Sequence, residues 1–110
     1  MSDSQQLVVC LTTVATNDDA EKIAATLLDQ ALAACVQIEG PIRSHYIWEG
    51  QRHRDEEYRL VIKSTADAWP ALKDTLRDMH PYDEPQILRL NVSDATPGYC
   101  QWVIAQTSRK

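Results

Sequence analysis

The sequence predicts an α+β domain with the ferredoxin-like (split βαβ) arrangement and one additional helix at its C-terminus. Short apolar segments rich in β-branched residues alternate with longer amphipathic segments in the order β-α-β-β-α-β. Two of the β segments are separated by only two residues, which is the spacing of a tight hairpin. The 110 residues suffice for one domain with one core. We therefore expect residues 1–110 to form a single domain, with its ordered core at about 6–106.

The first βα unit extends from the N-terminal region to about residue 34. Residues 6–14 are short, apolar and β-branched, as in a central strand that is buried on both faces. Thr16 and Asn17 can cap a helix, because their side chains accept hydrogen bonds from the first free backbone N–H groups. Apolar residues then recur on one stripe, which predicts a helix over about 17–34.

A long hairpin follows this helix. Residues 35–39 alternate between apolar and polar, and the strand is interrupted at Gly40-Pro41, as a bulge would interrupt it. It resumes over 42–48, turns at Glu49-Gly50 and returns through 51–64. These arms are long for so small a domain, so their tips should project beyond the core.

The second half repeats the pattern of helix and strand. Asp67 is predicted to cap a helix whose apolar stripe ends at His80-Pro81, since proline cannot continue a helix. Residues 86–92 are predicted to form a fourth strand, with its leucines and Val92 facing inward. Thr96-Pro97 begins a short final helix.

Two helices on one face of a sheet leave the other face open. Packing of sheets between copies of the chain would cover that face, and three or more copies are the expectation. We predict that Tyr46, Trp48 and Trp102 are interface residues, because large aromatic rings dominate the energetics of interfaces.

Composition excludes several classes of protein. The net charge of −5 argues against a nucleic-acid binder, which would normally carry a basic face. The first six residues lack the basic start and apolar run of a signal peptide, and no apolar stretch is long enough to cross a bilayer. Three widely spaced cysteines, Cys10, Cys35 and Cys100, form neither a disulfide framework nor a zinc pattern, and apolar neighbours predict that all three are buried. We expect a cytoplasmic protein that contacts neither nucleic acid nor membrane.

No catalytic or nucleotide-binding motif occurs in the chain, which favours a binding protein over an enzyme. The most unusual group is Lys63 together with the segment from His80 through Tyr82 and Glu84 to Pro85. In one interpretation these residues line a ligand pocket, with Lys63 supplying charge to a small anionic ligand. In the other, His80 ends the helix, the prolines stiffen a turn and Tyr82 packs its ring.

Histidines are the candidate metal ligands, because copper and zinc favour imidazole nitrogen. His80 is one candidate, and His45 and His53 flank the hairpin turn. If Trp48 pairs with Gln51, His53 lies opposite Tyr46 and His45 lies on the other face. A register change of one residue would bring the two histidines together, so a surface role without a metal remains the alternative.

Several of these segments together resemble the CutA family of divalent-cation tolerance proteins. The resemblance covers about residues 7–106 in the family's order and spacing. It rests on Leu32-Ala33-Ala34-Cys35, Tyr46-Ile47-Trp48-Glu49-Gly50, Glu56-Glu57-Tyr58, Ile62-Lys63, His80-Pro81-Tyr82, Pro85-Gln86-Ile87, Tyr99 and Trp102.

The resemblance implies a tight homotrimer, similar in architecture to the PII signalling proteins, and an association with copper or other divalent cations. It also implies that Lys63, His80, Tyr82 and Trp48 lie at a surface between subunits. Two departures weaken a metal site. Gln86 stands where the family commonly has Glu, and Thr12 and Met79 stand where a cysteine and a histidine are invoked for copper.

The sequence thus supports three hypotheses. The first is a homotrimeric binding protein linked to divalent-metal tolerance, requiring no cofactor but binding copper or zinc weakly. The second is a PII-like signalling trimer that holds a small anionic ligand in clefts between subunits. The third is an enzyme that uses His80 and Tyr82 as acid and base.

Overall fold

The computed structural model describes residues 6–108, which form four strands and three helices. The segments predicted to be loose, the first five residues and the last three, lie outside the described residues except for Ser108. In chain order the elements are β1 (Leu7–Val14), α1 (Asn17–Asp29), β2 (Cys35–Trp48), β3 (Gln51–Thr65), α2 (Trp69–Met79), β4 (Leu88–Asn91) and α3 (Pro97–Thr107).

The strands form one sheet in the order β2-β3-β1-β4, with all three pairings antiparallel. This is the split βαβ topology, so the predicted ferredoxin-like fold with an extra C-terminal helix is confirmed. The strand β1 is central, as predicted, and β2 and β4 are the two edges.

The main core lies between the sheet and the helices α1 and α2. Alternate residues of β1 and β3 face these helices, and Cys10, Leu60 and Ile62 are completely buried there. From α1, Ile23 and Leu27 are buried in this core, and from α2, Leu72 and Leu76. In each helix the two residues are four positions apart and therefore lie on one face. Among residues 6–108, this layer is the larger of the two clusters of buried apolar residues.

The opposite face of the sheet, which we call the open face, is covered only at one end. There α3 packs Cys100 and Val103 against Leu7 in a small second core. Farther along the same face, Leu90 lies beside Val9 and Leu88 beside Leu11 in the β4–β1 register, and the two leucines are 52% and 48% exposed. The prediction that they face the core of the chain is therefore wrong, whereas Val92 does pack against the second core.

The helix α1 ends at Asp29, five residues before its predicted end at residue 34. Ala31 has a φ of 56°, and its N–H donates to the carbonyl of Leu28, while the N–H of Leu32 donates to the carbonyl of Leu27. This is the Schellman termination, in which a left-handed residue satisfies the last carbonyls of a helix. Because Ala rather than Gly occupies the left-handed position, the sequence gives no sign of it. The apolar residues after it continue into a buried turn.

The start of α2 also differs from its prediction. Ala68 rather than Asp67 is the N-cap residue, and no side chain caps the helix from there. Instead the Ala68 N–H donates to the Thr65 hydroxyl at 3.2 Å, so the last residue of β3 holds the first turn. Pro70 lies in that turn, as predicted.

Beyond the end of β1, the strands β2 and β3 pair only with each other and form an arm, residues 42–57. The arm projects as predicted and accounts for the length of the molecule, which measures 44 × 26 × 22 Å. At its base the register shifts between Glu39 and Ile42, around a cis Gly40–Pro41 peptide bond, which confirms the predicted irregularity. Its tip is the tight turn Glu49-Gly50, with φ of 51° and 75°.

Gly40 allows the ring of Tyr58 to lie directly against the backbone of the bulge. A Cβ atom at position 40 would stand 2.4 Å from the Tyr58 Cδ2 atom. The backbone of Gly40 has a φ of 158°, which residues with a side chain rarely adopt. We predict that Gly40→Ala lowers the free energy of unfolding by roughly 1–3 kcal/mol, because the ring must move out of its packed position. Chemical denaturation at fixed protein concentration measures this difference.

The matched control is Gly98→Ala, where a Cβ atom meets nothing within 4 Å. It should leave stability unchanged or raise it by less than about 1 kcal/mol, since alanine is the better helix former. Equal losses for the two variants would contradict the steric role of Gly40.

Candidate functional site

A broad cleft runs along the arm, where β1 ends and the chain leaves α2. Its volume is about 970 Å³. One wall is formed by the arm and the other by the segment after α2. This arm cleft is lined by Thr13, Ala15, Arg43, Ser44, His45, Tyr46, Trp48, Asp55, Glu56, Glu57, Tyr82, Asp83, Glu84 and Gln86. The predicted site residues Tyr82, Glu84 and Trp48 therefore share one cleft.

His80 stands behind this cleft and connects α2 to the end of β1. Its side chain is buried, with 8% of the residue exposed. Its Nε2 atom lies 3.0 Å from the carbonyl oxygen of Thr13 and 3.1 Å from the Thr12 hydroxyl, and its Nδ1 atom accepts the Tyr82 N–H at 3.1 Å. A carbonyl only accepts, so Nε2 carries the proton and donates it to Thr13. Both ring nitrogens are therefore engaged within the chain.

Burial lowers the pKa of His80, against the opposing effect of its bond to the Thr13 carbonyl. The ring is thus neutral at pH 7. The dipole of α2 would stabilise a protonated, cationic His80 at the C-terminal end of the helix. The ring turns instead toward β1 and donates to the Thr13 carbonyl. This geometry favours the structural interpretation of His80. Binding of a metal ion would have to displace one of its hydrogen bonds.

Tyr82 joins the arm to the segment after α2. Its hydroxyl donates to Glu57 Oε2 at 2.8 Å, and its ring lies 5.0 Å from the His80 ring, centroid to centroid. Burial, followed by the bond to the Glu57 carboxylate, raises the pKa of Tyr82, so the hydroxyl stays protonated. Glu57 itself is 8% exposed. A buried carboxylate is stable only when it is hydrogen-bonded, and Tyr82 supplies that bond.

Glu57 is a residue of this site that the sequence did not indicate. It lies among Arg54, Asp55 and Glu56, which are exposed, and a run of charges at a hairpin normally indicates a solvated surface. Its burial depends on the loop after α2 folding back against the arm, a contact between residues 25 positions apart. Strand alternation could have indicated that Glu57 shares a face with Arg59, but not that Tyr82 covers it.

The outer half of the arm carries aromatic residues on one face. Trp48 pairs with Gln51 and Tyr46 with His53, which is the first of the two registers that the sequence left open. The Tyr46 and His53 rings are stacked, with centroids 5.1 Å apart and planes 14° apart, and the Tyr46 hydroxyl donates to Asp55. His45 pairs with Arg54 and therefore lies on the other face, so the two histidines of the arm do not meet.

Lys63 lies apart from this group. It occupies the open face near the other end of β3, six residues from Glu57, which corresponds to roughly 20 Å along a strand. It lines a second, smaller cavity beneath α3, and its ammonium donates to the side-chain oxygen of Gln37. Within one chain, Lys63 and the Tyr82 segment belong to separate sites. Their meeting between subunits stays a prediction.

The predicted interface aromatics are exposed in the single chain. Tyr46, Trp48 and Trp102 are 41%, 48% and 44% exposed, and the Tyr99 and Trp102 rings are tilted by 38° with their centroids 5.6 Å apart. Of the cysteines, Cys10 and Cys100 are buried as predicted, but Cys35 is half-buried, because it lies on the open face beside α3. None of the three forms a disulfide.

The residues of a single chain do not fit a metal centre. Across residues 6–108, no group of three or more His, Cys, Asp or Glu side chains is gathered closely enough to hold an ion. Zinc and copper sites need such a group. At the position where the resemblance implies a soft ligand, the hydroxyl of Thr12 contacts His80 instead.

Fold and surface together define a class: a ferredoxin-like binding domain with an uncovered sheet face and a cleft along a projecting arm. Among the described helices, none is long and apolar enough to cross a membrane. Residues 8–106 match the family described as CutA1 divalent ion tolerance protein. The chain belongs to this family, which confirms the resemblance seen in its motifs.

Individual relatives agree along nearly the whole chain. The divalent-cation tolerance protein CutA of Pyrococcus horikoshii is 35% identical over 103 residues, which are 94% of this chain and 100% of the relative. The crystal structure of CutA1 from Ehrlichia chaffeensis superposes with a TM-score of 0.90 at 32% identity, covering 94% of this chain and 97% of the other. A protein from Archaeoglobus fulgidus, described as a periplasmic divalent cation tolerance protein CutA, has a TM-score of 0.89 at 27% identity, covering 93% and 99%.

The lowered pKa of His80 predicts a dependence of stability on pH. As the pH falls below about 6.5, the unfolded chain takes up a proton on this ring before the folded chain does. His80 should therefore contribute stability that is fully present above about pH 6.5 and is lost progressively as the pH falls below that value. Denaturation at a series of pH values measures the decrease, and His80→Asn should flatten it. Nitrogen NMR of the ring should show the Nε2–H tautomer at pH 7; a ring that titrates above pH 6.5 would contradict this assignment.

Two tyrosine–carboxylate bonds provide a matched comparison of burial. Tyr82→Phe leaves the buried Glu57 carboxylate without this donor, so we expect a loss of about 1–3 kcal/mol in the free energy of unfolding. Tyr46→Phe removes the exposed bond to Asp55 and should cost clearly less than Tyr82→Phe, because water replaces the hydroxyl. Similar losses in the two variants would show that Glu57 is hydrated rather than buried.

Proposed function

We propose that this protein acts as a homotrimer in the tolerance of divalent cations, and that it binds its ligands without chemical turnover. Membership of the CutA1 family over residues 8–106 supports the link to divalent-cation tolerance. The observation that supports assembly into a homotrimer is the exposed, apolar open face of the sheet. A stable protein with an apolar surface of this kind generally covers it with a partner.

The open face supports packing of sheet against sheet between copies. Leu88 and Leu90 are about half exposed there, beside the half-buried Leu11 and Val61. Complete burial of an exposed leucine contributes about 1.5–3 kcal/mol, so several such residues per copy supply substantial association energy. The edges β2 and β4 can also pair with strands of neighbouring copies, and three copies follow from the family resemblance.

Metal binding, in this proposal, depends on ligands from more than one copy. His80 is engaged internally, and the remaining imidazoles, His45 and His53, lie on opposite faces of the arm. Each can supply one ligand to a site completed by another subunit. Copper and zinc are the candidate ions, because both favour imidazole, and binding is expected to be weak.

A second candidate, a PII-like trimer that binds a small anionic ligand, is favoured by the position of Lys63. Within residues 6–108 its ammonium donates to a neutral amide, and no carboxylate lies within ion-pair distance. By contrast, the buried and internally bonded state of His80 gives the acid–base pair of an enzyme no support. We place the protein in the cytoplasm, in line with its three free thiols, although the Archaeoglobus fulgidus relative is described as periplasmic.

The experiment that tests metal binding is native mass spectrometry of metal-stripped protein, with and without added copper or zinc. We expect a trimer that gains a defined number of ions, and fewer ions in a His45→Gln/His53→Gln double variant than in His80→Asn. A trimer that gains no ions would refute metal binding and leave the assembly standing. A monomer would refute the assembly.

The open face is tested separately by charge insertion. Leu90→Arg places a cation on the proposed interface, so the trimer should dissociate or weaken by at least tenfold in sedimentation at micromolar concentration. Leu28→Arg is the control, since Leu28 is also an exposed leucine but lies on α1, on the opposite side of the sheet. Trimers in both variants, or loss of the trimer in both, would contradict the assignment of the interface.

A further inference from the structure

The loop after α2, residues 80–87, forms one wall of the arm cleft and has no regular secondary structure. Pro81 and Pro85 have no backbone N–H, so the loop has few donors that could tie it to a neighbouring strand. Within residues 6–108, its side-chain hydrogen bonds all involve His80 or Tyr82. Between α2 and Ile87, which packs against the main core, the position of this wall therefore depends on two residues.

His80 holds the loop through two nitrogens with different roles. Its Nε2 atom donates to the Thr13 carbonyl of β1 at 3.0 Å, and its Nδ1 atom accepts the backbone N–H of Tyr82 at 3.1 Å. A neutral imidazole has one donor and one acceptor and can form both bonds, whereas a protonated imidazole has two donors. Protonation therefore places an N–H group at Nδ1 directly against the N–H of Tyr82. The bond to Thr13 survives in both charge states, because Nε2 donates in each.

The charged groups that act on the His80 ring are two carboxylates, Asp19 of α1 and Glu57 of β3. The other neighbours are uncharged: β1 presents a hydroxyl and a carbonyl, and the loop itself presents the Tyr82 ring, which stays un-ionised because its pKa is raised. Burial lowers the pKa of His80 below its ordinary value of 6.5, and the carbonyl bond and both carboxylates oppose this effect. The ring is therefore neutral at neutral pH, and it takes up its proton in acidic solution.

We propose that His80 is a pH-sensitive switch: protonation of its Nδ1 atom breaks the bond to the Tyr82 N–H and releases the loop after α2 from the arm, which widens the arm cleft. The released loop no longer holds the Tyr82 hydroxyl on the Glu57 carboxylate, which then opens to the cleft. The rearrangement is local, because the main core between the sheet and the helices takes no part in these bonds. Local opening of this kind costs less free energy than global unfolding.

The switch lies apart from the proposed interface on the open face. Thr12 contacts His80 and pairs with the core-facing Leu60, so His80 lies on the helix side of the sheet. Packing of copies on the open face leaves its hydrogen bonds in place. The proposal does not rest on metal binding or on the trimer, and the failure of either in native mass spectra leaves it untouched.

The test follows the full chain by NMR while the pH is lowered from about 7.5 to about 5. The nitrogen shifts of the His80 ring report its charge. The hydrogen exchange rate of the Tyr82 amide, corrected for its intrinsic dependence on pH, reports the bond to Nδ1. We expect the protection of this amide to fall roughly tenfold, with the same midpoint as the ring. The amides of Asp83 and Glu84 should gain fast motion at that midpoint, whereas the amides of the central strands β1 and β3 should keep their protection.

Three variants assign the transition. In His80→Asn the side-chain oxygen takes the place of Nδ1 as acceptor and does not titrate, so the transition should be absent. A His45→Gln/His53→Gln double variant removes the other two histidines of the chain and should keep the transition. Tyr82→Phe loses the bond to Glu57 but keeps the backbone N–H, so its amide should still respond when the ring is protonated. This third variant keeps the test available even where His80→Asn does not fold.

The proposal is overturned if the ring stays neutral down to about pH 5, or if the Tyr82 amide keeps its protection after the ring is protonated. Persistence of the transition in His80→Asn, or its loss in the double variant of the arm histidines, would also overturn it. If the amides of β1 and β3 lose their protection together with that of Tyr82, the domain unfolds as a whole and there is no local switch.

Discussion

A four-stranded sheet with apolar residues on both faces must be covered on both sides, and the arrangement of the rest of the molecule follows from this requirement. The helices α1 and α2 cover one face completely, with Leu60, Ile62, Leu72 and Leu76 fully buried between the layers. Within residues 6–108 there is one further helix, α3, which covers only the Leu7 end of the other face. The remainder, around Leu88 and Leu90, stays uncovered in the single chain, and the proposed association of copies would cover it.

The arm depends on the same sheet but is held by polar contacts. Past Val14 the strand β3 loses β1 as a neighbour, so residues 42–57 have no sheet on that side. The loop after α2 takes its place, with Tyr82 bonded to Glu57 and His80 bonded to Thr13. These bonds fix the loop between the end of β1 and the base of the arm. His80 and Tyr82 thus shape the arm cleft. Both ring nitrogens of His80 and the hydroxyl of Tyr82 already form hydrogen bonds within the chain.

The sequence predicted the order of the elements well, because hydrophobic period, proline and the two-residue turn are local signals. Predictions from the sequence were wrong or incomplete where tertiary contacts, rather than the local residue pattern, decide the structure. Ala31 adopts a left-handed conformation that glycine usually signals, so α1 appeared longer than it is. Leu88 and Leu90 obey strand alternation, but alternation does not say which face a partner will cover. Glu57 was hidden in a charged run, since its burial is decided by a residue 25 positions away.

The length of β3 also separates two kinds of site. Near one end, Glu57 belongs to a cleft with acidic and aromatic walls, and near the other, Lys63 borders an apolar cavity under α3. The first is open, and the arm forms one of its walls. The second is lined almost entirely by apolar residues and by Lys63, whose ammonium donates to the side-chain oxygen of Gln37. Since α3 forms a wall of that cavity and also covers part of the open face, the proposed packing of another copy on this face would reach the cavity as well.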